Sequence, residues 1–200
     1  MNGLDVALPL LIFAKLPEPG RVKTRLIPEL GADGACRAYI ELFQRTLRQT
    51  ATWPGERWLY CAPQHSASFF IEAAEQHDLR LRTQADGDLG ERMFAALSDH
   101  PHGALLIGSD CPLLDVTHLA EAATALDQHD VAILPSEDGG YVMIGQRSPH
   151  PAPFNDMSWS HAQVFEHTRE RAAAAGLSVW VGPTFWDVDE PDDLIRFRSL

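Results

Sequence analysis

Segments with strand-like and helix-like patterns alternate along the whole chain, and this alternation is the feature that most restricts the fold. Leu8 to Ala14 is a short apolar run, typical of a strand buried on both faces. Residues 33–50 then repeat apolar side chains at three- and four-residue spacing, as a helix does. The alternation continues without an internal repeat or a long linker. Because strands joined by helices pair in parallel and are covered on both faces, the sequence predicts one three-layer α/β/α domain over residues 1–200, with a mostly parallel sheet.

The position of a ligand site follows from this architecture. In open α/β sheets, ligands bind beyond the carboxyl ends of the strands. The segments that directly follow predicted strands are therefore the candidates for chemistry, and they are residues 15–28, 84–93, 108–115, 135–141 and 183–190.

The charge balance excludes some classes of partner. The chain has 16 Lys and Arg against 28 Asp and Glu, a net charge of −12. Such a surface does not attract nucleic acid or an anionic membrane, so we expect neither as a partner. Residues 15–25 nevertheless carry four cations and one anion, which leaves −15 for the other 189 residues. An acidic chain thus has one basic segment near its N-terminus.

The cysteines and the first apolar run bear on the compartment. The three cysteines are far apart in sequence and form no CxxC pair, so neither a disulfide framework nor a zinc site is indicated. The run from Val6 to Ala14 is interrupted by Pro9 and has no basic leader, which is wrong for a signal peptide and too short for a membrane span. We therefore expect a cytoplasmic protein.

The basic segment has the composition of a shaped anion-binding loop. Its cations are Lys15, Arg21, Lys23 and Arg25, and two prolines and Gly20 exclude a regular helix through its first half. Phosphates are the obvious anion. The segment is not a P-loop, because Val22 stands where that motif needs a glycine before its lysine. The alternative is an ordinary solvated basic loop.

Carboxylates follow two other strands. Asp110 lies in a Gly108–Pro112 turn after a buried strand, where it could present oxygen to Mg²⁺ beside bound phosphate. It could instead cap the next helix, although Asp115 is better placed for that role. Asp187 and Asp189 would point the same way in an extended stretch and could form a paired carboxylate site, while the acids after them suit the first turn of a helix.

The remaining motifs are weaker. Residues 86–93 join a strand to a helix through two glycines, where the backbone could approach a ligand and Asp88 could cap the helix. Residues 137–141 resemble an ordinary hairpin turn, in which Asp138 would need a ligand nearby to have a function. The sequence has no Gly-x-Ser-x-Gly elbow, and Cys111 has no nearby histidine to activate it, so a nucleophilic hydrolase is disfavoured.

Taken together in order, the motifs carry a family resemblance over roughly residues 10–198. They are KLPEPGRVKTRL, DGDLGERM, GSDCPLL, EDGGYVMIG, the Trp159–Ser160 pair and DVDEPDDL. The chain resembles GT-A-fold transferases of the arsenosugar-biosynthesis glycosyltransferase type, which are similar to the guanylyltransferases of the molybdenum-cofactor and phospholactate pathways. The resemblance implies a nucleotide-diphosphosugar transferase fold and a divalent metal, Mg²⁺ or Mn²⁺.

The resemblance also implies roles for individual residues. Nucleotide phosphates would be held by Lys15, Gly20, Arg21, Lys23 and Arg25, and the nucleotide side would be lined by Leu89, Gly90, Glu91 and Arg92. Asp110 would bind the metal with Asp187 or Asp189. The acceptor would face Asp138, Gly139, Gly140, Tyr141 and Trp159. Apart from the resemblance, an inverting glycosyl transfer needs a carboxylate base at the acceptor, and Asp138 is our candidate for it.

Three functions remain open at this point. The first is a metal-dependent glycosyltransferase that uses a nucleotide sugar and a small-molecule acceptor. The second is a nucleotidyltransferase that releases pyrophosphate from a nucleoside triphosphate, because Asp110 is followed by Cys111-Pro112, as in the nucleotidyltransferase branch, and not by the Asp-x-Asp of many GT-A enzymes. The third is a nucleotide-binding module without turnover.

Overall fold

The computed structural model describes residues 7–200, and its strands form one seven-stranded sheet. Val6, the first residue of the N-terminal apolar run, lies outside the described residues. The strands are β1 (Leu10–Lys15), β2 (Arg57–Ala62), β3 (Arg80–Thr83), β4 (Ala104–Ile107), β5 (Val131–Pro135), β6 (Tyr141–Gln146) and β7 (Val179–Val181). The helices are α1 (Ile27–Gln49), α2 (Ser68–His77), α3 (Leu89–Ser98), α4 (Val116–Ala125), α5 (Val164–Ala174) and α6 (Pro191–Arg198).

The strand order is β3-β2-β1-β4-β6-β5-β7. β6 runs antiparallel to both of its neighbours, and the other pairings are parallel. The turn that joins β5 to β6 contains Asp138 and Gly139, whose φ of +88° is a conformation that glycine adopts without strain. The predicted, mostly parallel sheet is confirmed.

Alternate residues of β1 show why the domain has three layers. Leu10, Ile12 and Ala14 pack in one cluster with residues of α1, α2 and α4, whereas Leu11 packs in another cluster with residues of α3 and α5. The strand is therefore apolar on both faces, as the continuous apolar run predicted. α6 packs on the outside of α1 through a third cluster that contains Trp186 and Val188.

Helix α1 begins earlier than the apolar spacing predicted. It starts at Ile27 and not near residue 33, but it is broken at Gly31, which has a φ of +67°. The regular helix thus begins after the kink, where the apolar spacing starts. No helix within residues 7–200 is both long enough and apolar enough to cross a membrane.

β1 and β4 are neighbours in the sheet, but their chains leave in different directions. β1 continues toward β2 on one side, and the chain after β4 leads through α4 toward β5 on the other side. Loops that diverge in this way leave a crevice at the carboxyl edge of the sheet. The basic segment follows β1 and the Asp110 turn follows β4, so both lie at this crevice.

Candidate active site

A cavity of about 690 Å³ lies at the crevice, and we call it the basic cavity. Its cationic lining consists of Lys15, Arg21, Lys23, Arg25 and Arg92. The loops after β1 and β4 and the start of α3 form its walls, with Asp189 from the segment before α6. The structure therefore brings together three segments that are far apart in sequence.

The conformation of the basic loop separates its cations. Gly20 has a φ of +82°, and the Arg21 N–H donates to Glu18 O at 3.0 Å, which closes a turn. Lys23 adopts left-handed backbone with a φ of +46°, which is uncommon for a residue with a side chain. Its side chain is only 6% exposed, whereas those of Arg21 and Arg25 are 79% and 58% exposed. One cation is thus buried, and two reach toward solvent.

The buried ammonium of Lys23 joins the two acidic segments. Lys23 Nζ donates to Asp110 Oδ2 at 2.9 Å and lies 3.7 Å from Asp189 Oδ1. Burial opposes its charge, but attraction and a hydrogen bond from Asp110, together with attraction from Asp189 and Asp187, raise the pKa of Lys23 above its ordinary value. Lys23 is therefore a charged residue at the centre of the site.

Asp187 is the carboxylate that is least compensated. No hydrogen bond or ion pair joins its carboxylate to another residue within 7–200, and burial, followed by repulsion from Asp110 and Asp138, raises its pKa to about 7. By contrast, Asp189 also contacts Arg25. The Val188 N–H donates to Asp110 O at 3.1 Å and so fixes the two acidic segments against each other.

A second cavity, of about 200 Å³, shares Asp110 with the basic cavity, and we call it the acidic cavity. Its other lining residues include Asp138, Gly140, Tyr141, Trp159 and Asp187. Oδ1 of Asp138 accepts hydrogen bonds from Ser136 Oγ and the Gly140 N–H, which holds the turn after β5. The indole N–H of Trp159 is buried and has no partner among the described residues.

A third cavity, of about 260 Å³, opens from the other side of the basic loop, and we call it the side cavity. It shares Lys15, Arg21 and Arg92 with the basic cavity and extends to the ends of β2 and β3. Gln84 lies between the two, and its side-chain amide donates to the backbone oxygens of Ala14 and Tyr60. The basic cavity thus shares lining residues with each of the other two cavities.

Some predicted site residues line no cavity and have structural contacts instead. Glu91 forms a capping box with Asp88 at the start of α3. A side chain on Gly90 would collide with Trp159, and one on Gly139 would collide with the backbone of Ala162. Gly20 shapes the basic loop. Whether these four residues also contact a nucleotide or acceptor stays a prediction.

Sequence patterns did not point to two residues that the structure places at the site. Tyr39, which helical spacing assigns to the core, lines the basic cavity, and its hydroxyl bonds both the N–H and the carbonyl oxygen of Lys15. Burial is the main reason that its pKa rises to about 12. Ser109 is buried beside Asp110 and also lines the cavity. Its position next to Asp110 in the turn after β4 is the sequence feature that could have identified Ser109 as a site residue.

The donor set suits a divalent cation only together with a phosphate ligand. Within residues 7–200, no group of three or more His, Cys, Asp or Glu side chains is arranged to hold a metal ion. Asp110 and Asp189 share the Lys23 ammonium, whereas Asp187 is attracted by Lys23 but forms no ion pair within residues 7–200. Mg²⁺ commonly uses one or two carboxylates and completes its shell with water and phosphate oxygens. These residues fit that pattern.

The sequence profile of one protein family matches residues 46–161, which is more than half of the chain. The family is DUF2064, described as an uncharacterized protein conserved in bacteria. The chain belongs to the DUF2064 family. No curated protein matches it.

Solved structures give a second comparison. A crystal structure from Desulfovibrio desulfuricans G20, described as a candidate nucleotide-diphospho-sugar transferase, is 32% identical with a TM-score of 0.82, over 92% of this chain and 83% of that one. A nucleotidyl transferase from Methanothermobacter thermautotrophicus is 14% identical with a TM-score of 0.70, over 96% of both chains. A 4-diphosphocytidyl-2C-methyl-D-erythritol synthase from Anaerococcus prevotii DSM 20548 is 11% identical with a TM-score of 0.63, over 97% of this chain and 95% of that one.

These similarities establish the fold. The DUF2064 chain shares the architecture of nucleotide-diphospho-sugar transferases and nucleotidyltransferases, as the motif resemblance predicted. The first two of these neighbours are described as transferases, one of nucleotide-diphospho-sugars and one of nucleotidyl groups.

Proposed function

We propose that this DUF2064 protein is a metal-dependent glycosyltransferase that uses a nucleoside diphosphate sugar and a small-molecule acceptor. The observation that carries this proposal is the pairing of two cavities of opposite charge on either side of Asp110. A diphosphate needs cations, and the basic cavity provides five of them. The motif resemblance to the arsenosugar-biosynthesis type and the 32% identical relative both support the use of a sugar nucleotide.

In this proposal, the cavities divide the substrate between them. The side cavity would hold the nucleoside, the basic cavity the diphosphate, and the acidic cavity the acceptor. Mg²⁺ or Mn²⁺, bound by Asp110 with Asp187 or Asp189, would supply charge neutralisation for the diphosphate. Lys23 and Arg25 would stabilise the same developing charge directly, and no residue has to form a covalent intermediate.

Transfer requires a short sequence of bond changes. An acceptor oxygen bonds to the anomeric carbon, the bond from that carbon to the diphosphate oxygen breaks, and the nucleoside diphosphate leaves with the electron pair. The acceptor proton goes to a base in an inverting reaction. Asp138 is the candidate, because it lines the acidic cavity and its Oδ2 has no hydrogen-bond partner within residues 7–200.

Nucleotidyl transfer is the second candidate. It is favoured by the Cys111-Pro112 that follows Asp110 and by the similar fold of nucleotidyltransferases. In that reaction a substrate phosphate would attack the α-phosphate of a nucleoside triphosphate, and pyrophosphate would leave. A nucleotide-binding module without turnover is the third.

Phosphorus NMR of the protein with Mg²⁺ separates these functions. Release of a nucleoside diphosphate from a nucleotide sugar supports the proposal, whereas pyrophosphate released from a nucleoside triphosphate supports nucleotidyl transfer. Binding of a nucleotide or nucleotide sugar without release of either product supports the nucleotide-binding module without turnover. Asp110→Asn should abolish turnover. Asp115→Asn is the matched control, because Asp115 caps α4 through Oδ1 and lines neither the basic nor the acidic cavity. Equal rates for wild type and Asp110→Asn would refute the role of Asp110.

A further inference from the structure

The acidic cavity has a charge pattern that bears on which acceptor it can hold. All of its charged lining side chains are carboxylates, namely Asp110, Asp138 and Asp187. No Lys or Arg lines it among the described residues, and its only other titratable groups are Tyr141 and His161. Lys23, which lines the basic cavity, donates a hydrogen bond to Asp110 from that side. The protein therefore lines this cavity with three carboxylates and, among the described residues, with no lysine or arginine of its own.

This pattern disfavours an anionic acceptor. Like charges brought together in a partly buried site cost several kcal/mol of binding free energy in general. A phosphate or carboxylate group in this cavity would meet Asp138 and Asp187 without an arginine or lysine to pair with. All five lysine and arginine side chains that line the site belong to the basic cavity, so they are placed for the diphosphate and not for a second anion on the acceptor.

The same lining suits a ligand with hydroxyl groups. The carboxylate of Asp187 lines the cavity and has no hydrogen-bond partner within residues 7–200, so its oxygens are available to accept hydrogen bonds from hydroxyls. The hydroxyl of Ser160 and the phenol of Tyr141, which also line the cavity, can each donate or accept such a bond. The volume, about 200 Å³, is below the roughly 300–1,000 Å³ of sites for drug-sized ligands, so the bound part is small.

We propose that the acidic cavity binds an uncharged acceptor with several hydroxyl groups and rejects acceptors that carry phosphate. This inference rests on the proposed function, because it assigns the acceptor to the glycosyl-transfer site. It also distinguishes the two enzyme candidates, since in the proposed nucleotidyl transfer the attacking group is a phosphate of the acceptor.

The test compares glucose with glucose 6-phosphate as probes, by saturation-transfer difference NMR with the full chain, Mg²⁺ and a saturating nucleoside diphosphate. These two ligands differ only by the phosphate. Glucose should bind about tenfold more tightly than glucose 6-phosphate, or better. Equal affinities, a higher affinity for glucose 6-phosphate, or binding of neither ligand would overturn the proposal.

A variant then locates the discrimination. Asp187→Asn keeps the shape of the side chain and removes its charge, so it should bring the affinities of the two probes closer by several-fold. Glu75→Gln is the control, because it makes the same change in charge at an exposed position of α2 that lines none of the three cavities. If Asp187→Asn does not fold, the ratio of the affinities of the wild-type protein for glucose and glucose 6-phosphate still tests the proposal. Release of nucleoside diphosphate from a nucleotide sugar is measured separately. If it occurs while the two probes bind equally, the assignment of the acidic cavity has failed; if it does not occur, the proposed function has failed.

Discussion

Lys23→Met should lower stability much more than a lysine substitution ordinarily does. The change removes a cation whose side chain is 6% exposed and which lies 2.9 Å from Asp110 Oδ2 and 3.7 Å from Asp189 Oδ1. Removing one partner of a fully buried pair costs about 3–5 kcal/mol. The carboxylates here are 36% and 38% exposed, so water screens part of that loss. We expect a loss of about 2 kcal/mol, intermediate between the buried and surface cases.

Thermal unfolding followed by circular dichroism measures this loss. For a chain of this size, 1 kcal/mol corresponds to a shift of about 2–4 °C in Tm, so Lys23→Met should melt about 4–8 °C below wild type. Lys15→Met is the matched control, because Lys15 is the only other lysine in the chain and is exposed at the end of β1. It should change the stability by less than about 0.5 kcal/mol. A Tm for Lys23→Met equal to that of Lys15→Met would refute the buried ion-pair network.

Two further predictions concern the turns around the acidic cavity. Asp187→Asn should raise the Tm at pH 8, and this gain should become smaller toward pH 4. The pKa of Asp187 is raised to about 7 in the folded protein. Its ionisation therefore lowers the folding stability as the pH rises from the unfolded-state pKa through about 7, and asparagine removes that loss. A constant gain across that range, or none, would contradict this account. Gly139→Ala should lower stability by about 1–3 kcal/mol in urea denaturation, because the φ of +88° strains alanine and its Cβ would lie 2.1 Å from Ala162 O. An unchanged midpoint would show that the turn can relax.

The fold could be predicted from the sequence, because its main determinants are local. The apolar run of β1 and the helical spacing of α1 are each visible within a short window, and together they require a covered parallel sheet. The capping role of Asp115 was equally local, and the structure confirms it. That residues 1–200 form a single domain stays a prediction.

The site was harder to predict, because loop conformation decides which charges meet. The sequence shows four similar cations in the basic segment, but only the left-handed backbone at Lys23 buries one of them between carboxylates. The assignment of Glu91 to the nucleotide did not anticipate its capping box with Asp88. Tyr39 has the spacing of a core residue, and only the packing of α1 against Lys15 reveals its place at the cavity. The separation of charge between the two cavities is likewise a property of the tertiary structure.

The central claim is that the basic cavity holds the diphosphate of a nucleotide, and isothermal titration calorimetry tests it most directly. UDP, GDP, CDP and ADP are titrated with Mg²⁺ into wild type and into the double variant Lys23→Ala/Arg25→Ala. At least one nucleotide should bind wild type. The double variant should bind it with a free energy weaker by more than about 1 kcal/mol, the upper range for a surface ion pair. Equal affinity in the two proteins, or no binding of any of the four nucleotides to wild type, would contradict the claim.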